Sequence, residues 1–435
     1  MSNLLRPLSL AIALVLTGSA YAAKPAKSSS EAKKEAPPVA KLEIELAHNF
    51  GAIGEERLQT VVDVFNKESK SGQIKLVRLE RGEKPAPLNM IRRYEMDEVL
   101  RQPGRYLPLH QMMKNAKENL DTKDLSADLR AGVVDDKGRY VALPIAYSTP
   151  VLFYNKNAMR KAKLDPENPP KTWFEMQGVL DKLQDAGYEC PYTTSWPTWV
   201  HVDNVSALSG VPAVSDKGGL SFNGLPQVKH IAMMATWHKA GYFHTFGRGA
   251  EANKRFQDGS CAMITTDSWE HTEFRDAKGV ELGVAPMPYH DDVYGGRQHT
   301  LADGGSLWIG AGHSAVNYKT AAKFVQYLLT PQMQIELVRT YGQLPLTAAA
   351  RSAVSSKVLR DRDESLKVAY ASMKGNGDKP ALRVANMDSV RVIVDEELEA
   401  VWANKKPAKA ALDTAVLRGN ALIAAKPALK KSQPF

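Results

Sequence analysis

Hydrolysis needs a nucleophile held beside a base, a metal cluster or a carboxylate pair, and the 435-residue chain offers few such sets. No Gly-x-Ser-x-Gly elbow occurs, the turn that exposes a serine nucleophile. No two of the ten histidines are four apart, the spacing that puts two imidazoles on one helical face for a metal. His238 and His244 lie six apart around an aromatic stretch and read as surface or core residues. His290-Asp291-Asp292 is a loop-type cation candidate of low weight, and the acidic run 395–399 reads as a solvated helix face without a metal role. Cys190 and Cys261, with no histidine cluster near them in sequence, are either a disulfide or two buried thiols. No cofactor motif is present.

Binding chemistry is better represented. Trp196, Trp199 and Trp269 are candidate flat faces for the C–H surfaces of polyols and sugars, though each is also a natural core residue. The formal charge of +9 favours anionic ligands. Part of that excess lies in 24–41 (KPAKSSSEAKKEAPPVAK) and in Lys426, Lys430 and Lys431, and both segments read as disordered, solvated ends. No basic stripe with interleaved aromatics points to nucleic acid.

The elements that must position these residues follow from periodicity. Residues 1–22 carry Arg6, an apolar run over 8–16 and Ala20-Tyr21-Ala22, the pattern of a cleaved secretory signal. The run is shorter than the ~20 residues that span a bilayer. Removal leaves 413 exported residues, more than one core ordinarily organises. Residues 42–47 alternate as a strand. Leu58, Val61, Val62 and Phe65 mark one helical face, and 74–79 return to strand pattern, a β-α-β order that implies a parallel sheet. A strand-rich stretch over 140–154 is interrupted by Pro144 and Pro150. Helices are predicted over 173–186, 227–240, 319–329 and 331–340, strands over 260–266 and 307–310, and a mostly helical segment over 392–424.

Several ordered segments carry a family resemblance. Residues 143–173 (LPIAYSTPVLFYNKNAMRKAKLDPENPPKTW), 256–269 (FQDGSCAMITTDSW) and 303–310 (DGGSLWIG) resemble, in order, the strand-crossing segment, the Phe-x-x-Gly-x-x-Ala-Met strand with its cleft loop and the strand that crosses back in extracellular solute-binding proteins that serve sugar and polyol ABC importers. Residues 226–234 (PQVKHIAMM), 386–401 (NMDSVRVIVDEELEAV) and 411–420 (ALDTAVLRGN) are similar to the glycerol-3-phosphate-binding subfamily. The resemblance is strong over 143–420 and faint before it. It implies an α/β fold of two discontinuous lobes joined by crossing hinge strands, one lobe from 42–147 with 304–343, the other from 148–303 with 344–425. Residues 426–435 would be a tail.

The resemblance also assigns roles. Arg391 matches the phosphate-binding arginine, whose guanidinium offers two parallel donors, and Ser148 matches a phosphate-binding serine. Gly304 matches a glycine that the ligand approaches closely, Glu95 an acceptor for glycerol hydroxyls, and Trp173 a tryptophan beside the glycerol backbone. Three positions depart from the pattern. A tyrosine-bearing segment and a helix expected after 74–79 are missing. Asp267 stands at a phosphate-contacting serine, with Ser268 next to it, and Gln343 replaces a tyrosine. A carboxylate ~4 Å from an anion costs on the order of 1–4 kcal/mol per charge pair.

The reading implied is a non-enzymatic, monomeric periplasmic component of an ABC importer. It captures sn-glycerol 3-phosphate or a related glycerophosphodiester, polyol or sugar and delivers it to inner-membrane permease subunits. Two other classes compete: a transport-inactive adaptor or sensor on the same fold, favoured by the missing segment, and a secreted phosphodiesterase, disfavoured by the motif search.

Overall fold

The computed structural model describes residues 42–80, 82–92, 95, 99, 103–130, 132–292, 298–355, 364–373 and 387–424. The signal-like segment, the basic linker, Tyr94 and the tail therefore lie outside the described residues.

Two sheets organise the chain. The first holds six strands: β1 (Glu43–His48), β2 (Gln73–Arg78), β3 (Leu88–Ile91), β4 (Tyr106–Leu107), β5 (Leu143–Ser148) and, from much later in sequence, β11 (Asp303–Gly310). Their order is β2-β1-β3-β11-β4, with β5 also on β11. β1 runs parallel to β2 and β3, and β11 runs antiparallel to its three partners. Helix α1 (Ala52–Glu68) makes the predicted crossover and buries Val61, Val62 and Phe65. β3 was not expected. Its four residues are all buried, so it lacks the alternation that marks a half-exposed strand.

The second sheet orders β10-β6-β9-β7-β8, from β6 (Pro150–Asn155), β7 (Cys190–Thr194), β8 (Phe243–His244), β9 (Cys261–Asp267) and β10 (Leu282–Pro286). Cys190 and Cys261 are register partners on neighbouring parallel strands and are joined by a disulfide. Helices α2 (Trp173–Asp185) and α3 (Leu225–Ala240) belong to this half. Thr172 and Glu175 form a reciprocal capping box at the start of α2, satisfying two otherwise orphaned backbone donors.

Helices α4 (Ala315–Leu328) and α5 (Pro331–Tyr341) pack their buried residues with the first sheet, while α8 (Met387–Trp402) and α9 (Ala408–Ala424) pack with the second. Between them, α6 (Ala348–Ser355) and α7 (Glu364–Met373) build a small satellite core with Val338 of α5. The acidic run in α8 is not wholly solvated. Asp395 and Glu397 are buried, Asp395 accepting from Thr198 at 2.5 Å and Glu397 from Arg418 at 3.0 Å.

The chain passes from one sheet to the other at Thr149, between β5 and β6. Pro144 does not interrupt β5. It sits opposite a register shift between Gly305 and Ser306, the kind of irregularity that tolerates a residue without an N–H. The crossings are tied together. The Thr149 hydroxyl donates to the Leu301 carbonyl at 2.8 Å and lies 2.7 Å from the Thr300 hydroxyl. The Leu344 amide donates to the Tyr147 carbonyl at 2.9 Å.

Candidate functional site at the crossing strands

Five of the predicted residues converge where the sheets meet. Ser148 ends β5 and pairs in register with Asp303, and Gly304 pairs with Tyr147. Asp267 ends β9 opposite Pro150. The Ser148 hydroxyl donates to the Asp267 carboxylate, and both side chains are buried. The Ser268 amide donates to the Thr149 carbonyl at 3.0 Å, and the Thr149 amide to Ser268 Oγ at 3.4 Å. Gln343 follows Gly342, whose φ of 66° ends α5 in the left-handed region and leaves the turn against the Trp269 backbone.

Gly304 has a packing reason of its own. A Cβ there would collide with the Ala146 carbonyl oxygen on β5, so the strand pair admits only glycine whatever the ligand does.

Three predicted residues lie elsewhere. Arg391 is 2% exposed and pairs with the buried Asp203 at 3.1 Å. Asp203 belongs to a π-helical turn, Trp199–Asn204, and the next residue, Asn204, accepts from the Leu301 amide at 2.8 Å. Through Asp203 and Asn204 the arginine is linked to Leu301 at the crossing. Glu95 is buried on the first half of the molecule and accepts from the Arg92 amide and guanidinium at 3.0 and 2.9 Å. It is an internally bonded carboxylate, not a solvated helix charge. Trp173 is 1% exposed and packs among Tyr192, Trp237, His201 and His230. It is a core residue of the second half.

Of the aromatic candidates, Trp199 is fully buried. Trp196 holds a φ of 53°, an uncommon conformation for a bulky residue. Trp269 contributes to a cavity beside the crossing, of about 240 Å³. The cavity lies between α1, α4, α5 and the first sheet, and Trp269, Glu270 and Glu273 of the other half complete its lining. Arg57 of α1 spans to that half, donating to Thr272 at 2.9 Å and Glu273 at 2.5 Å. Glu270, also at the cavity, has its carboxyl pushed up to about 8, first by burial and then by the carboxylates of Asp267 and Glu273.

Sequence reasoning missed a second constellation. His201 Nδ1 lies 2.9 Å from His230 Nε2, and His230 Nδ1 lies 3.1 Å from His290 Nε2. Tyr192 continues the chain from His201 to Thr265. Burial holds all three imidazoles below their ordinary range, His201 at about 3 and His290 at about 4. The residues lie 29 and 60 positions apart, so no local spacing signals them. His238 and His244 each face a backbone carbonyl instead. Asp292 pairs with Lys229. Among the described residues no group of three or more metal-type ligands assembles, and no helix is long and apolar enough to cross a membrane.

Comparison with known proteins gives concordant matches. The family model described as bacterial extracellular solute-binding protein matches residues 103–361. The sn-glycerol-3-phosphate-binding periplasmic protein UgpB of Pectobacterium atrosepticum is 34% identical over 86% of this chain and 89% of its own. Its counterpart in Yersinia pseudotuberculosis is 33% identical over 97% and 98%. Among solved structures, UgpB from Mycobacterium tuberculosis in complex with glycerophosphocholine superposes with a TM-score of 0.71 at 18% identity, covering 88% of this chain and 98% of that one. At that identity the superposition speaks for the fold alone.

Proposed function

Because the chain belongs to the bacterial extracellular solute-binding proteins, we propose that it captures sn-glycerol 3-phosphate or a related glycerophosphodiester, polyol or sugar where its two halves meet. It is a periplasmic substrate-binding component of an ABC transporter and passes its ligand to inner-membrane permease subunits. The lobes are taken as 42–147 with 304–343 and 148–303 with 344–425, the working unit as a monomer, and the activity as binding without turnover.

The observation that carries this reading is the convergence of Ser148, Asp267, Ser268, Gly304 and Gln343 on one crossing point between the sheets. Strand ends that face each other across a hinge are a common ligand position in α/β proteins. Lobe closure is then driven by the difference in ligand affinity between open and closed states. Arg391 and Glu95 support the walls from behind, through Asp203 and Arg92, and Trp173 fills the core beneath.

The buried Asp267 carboxylate tilts the preference within the ligand class. At ~4 Å and an effective dielectric near 20, each added negative charge costs about 4 kcal/mol. A phosphodiester, with one charge, or an uncharged polyol suits this point better than a doubly charged monoester. Isothermal titration with glycerol 3-phosphate, glycerophosphodiesters, polyols and disaccharides tests the proposal. Saturable one-to-one binding of at least one, weakened by Ser148→Ala, is expected. Absence of binding across the whole panel refutes the transport reading and favours the adaptor.

A further inference from the structure

The cavity beside the crossing has walls unlike those of a polyol site. Leu46, Phe50, Met90, Leu307 and Phe324 are among the residues that line it, with Arg57, Glu270, Glu273 and Gln343 as its polar members, so the lining is mainly apolar. At about 240 Å³ it exceeds the engineered apolar void of about 150 Å³ that stays dry and takes up benzene. It adjoins the crossing-strand site at two neighbouring glycines of β11. Gly304 faces the Ala146 carbonyl at the polar point, while a Cβ on Gly305 would touch Met90 at 3.2 Å and Phe50 at 3.6 Å, both cavity residues. Gln343 is a lining residue of the cavity as well as a residue of the crossing. Its amide oxygen is buried without a hydrogen-bond partner among the described residues, an acceptor open toward a donor on a ligand.

From this we infer that the ligand is amphiphilic: a glycerol phosphodiester whose esterifying alcohol is a short alkyl or aryl group, the head at Ser148 and Gly304 and the apolar group in the cavity. A ligand hydroxyl near the junction donates to Gln343 Oε1. Trp269 and the stretch up to Glu273, held by Arg57, close over the apolar group from the other half, so the group is enclosed only when the halves are together. The inference rests on the ligand reading given above and narrows it.

The full chain is titrated with methyl, hexyl and phenyl esters of glycerol phosphate, and separately with benzene. The hexyl and phenyl esters should bind at least tenfold more tightly than the methyl ester. Met90→Trp, which fills the cavity, should erase that gap while leaving methyl-ester affinity within about twofold. Ile53→Glu, on the half-exposed mouth of the cavity, should do the same with little risk to folding. Equal or weaker binding of the longer esters overturns the inference while leaving the ligand reading intact. If no ester binds, that reading fails, and benzene decides alone. Saturable benzene binding blocked by Ile53→Glu supports an apolar site, and no benzene binding overturns it.

Discussion

Ser148 donates its hydroxyl proton to Asp267 across the single residue, Thr149, that carries the chain from one sheet to the other. The serine expected to contact a phosphate is thus bonded to the carboxylate that stands at a second phosphate-contact position. Asp267→Ser should raise affinity for glycerol 3-phosphate by tenfold or more, since about 1.4 kcal/mol of relieved repulsion suffices for that factor. Calorimetric titration of the two proteins side by side measures it, and an unchanged affinity would place the anion elsewhere.

Arg391 and Asp203 form a buried pair, so the arginine has a structural duty independent of any ligand. Arg391→Ala removes the cation paired with the buried Asp203 and should cost about 3–5 kcal/mol. Arg391→Met with Asp203→Leu should recover much of that loss. Urea unfolding of the single and double variants reads the difference.

The histidine chain makes stability depend on pH. His201, His230 and His290 have folded-state pKa values lowered by burial. As pH falls below about 6.5 the unfolded chain takes up protons that the folded chain refuses. The stability they contribute is full above that point and declines toward pH 4 and below. His230→Phe should flatten the acid limb of urea midpoints measured from pH 7 to 4. An unchanged slope would assign the acid limb to carboxylates.

Glu270 acts with the opposite sign. Its folded-state carboxyl titrates near 8, so from about 4.5 to 8 the folded protein holds a proton that the unfolded chain has released, and stability falls as pH rises. The margin of Glu270→Gln over the natural chain should grow across that window. Unfolding midpoints of both proteins at pH 5, 6.5 and 8 give the comparison.

The disulfide closes a loop of 71 residues. By chain entropy, its removal costs about 4 kcal/mol. Cys190→Ala with Cys261→Ala should lower the unfolding free energy by that order without changing the ligand panel, because the bridge lies at the N-terminal ends of β7 and β9, away from Asp267.

Much of the fold was legible because its elements obey local rules. The 3.6-residue spacing of Leu58, Val61, Val62 and Phe65 sufficed for α1, and alternation for β1. β3 escaped because a strand buried on both faces has no alternation to read. Asp395 and Glu397 read as solvated because their burial depends on Thr198 and Arg418, remote in sequence. For the site, the resemblance singled out Ser148, Asp267, Ser268, Gly304 and Gln343, which the fold gathers at one crossing point. It could not show that Arg391 is held by Asp203, that Glu95 is held by Arg92, or that Trp173 is walled in by histidines. Those partners come from chain segments whose approach only the tertiary fold determines.

The paired glycines of β11 carry one more implication. With no side chain at Gly304 or Gly305, the polar crossing and the apolar cavity meet along bare backbone. Head-group preference can therefore be rewritten at Ser148 and Asp267, and tail length at Met90 and Ile53, by substitutions that never meet. Such a layout suits the protein to conversion into sensors for different esters.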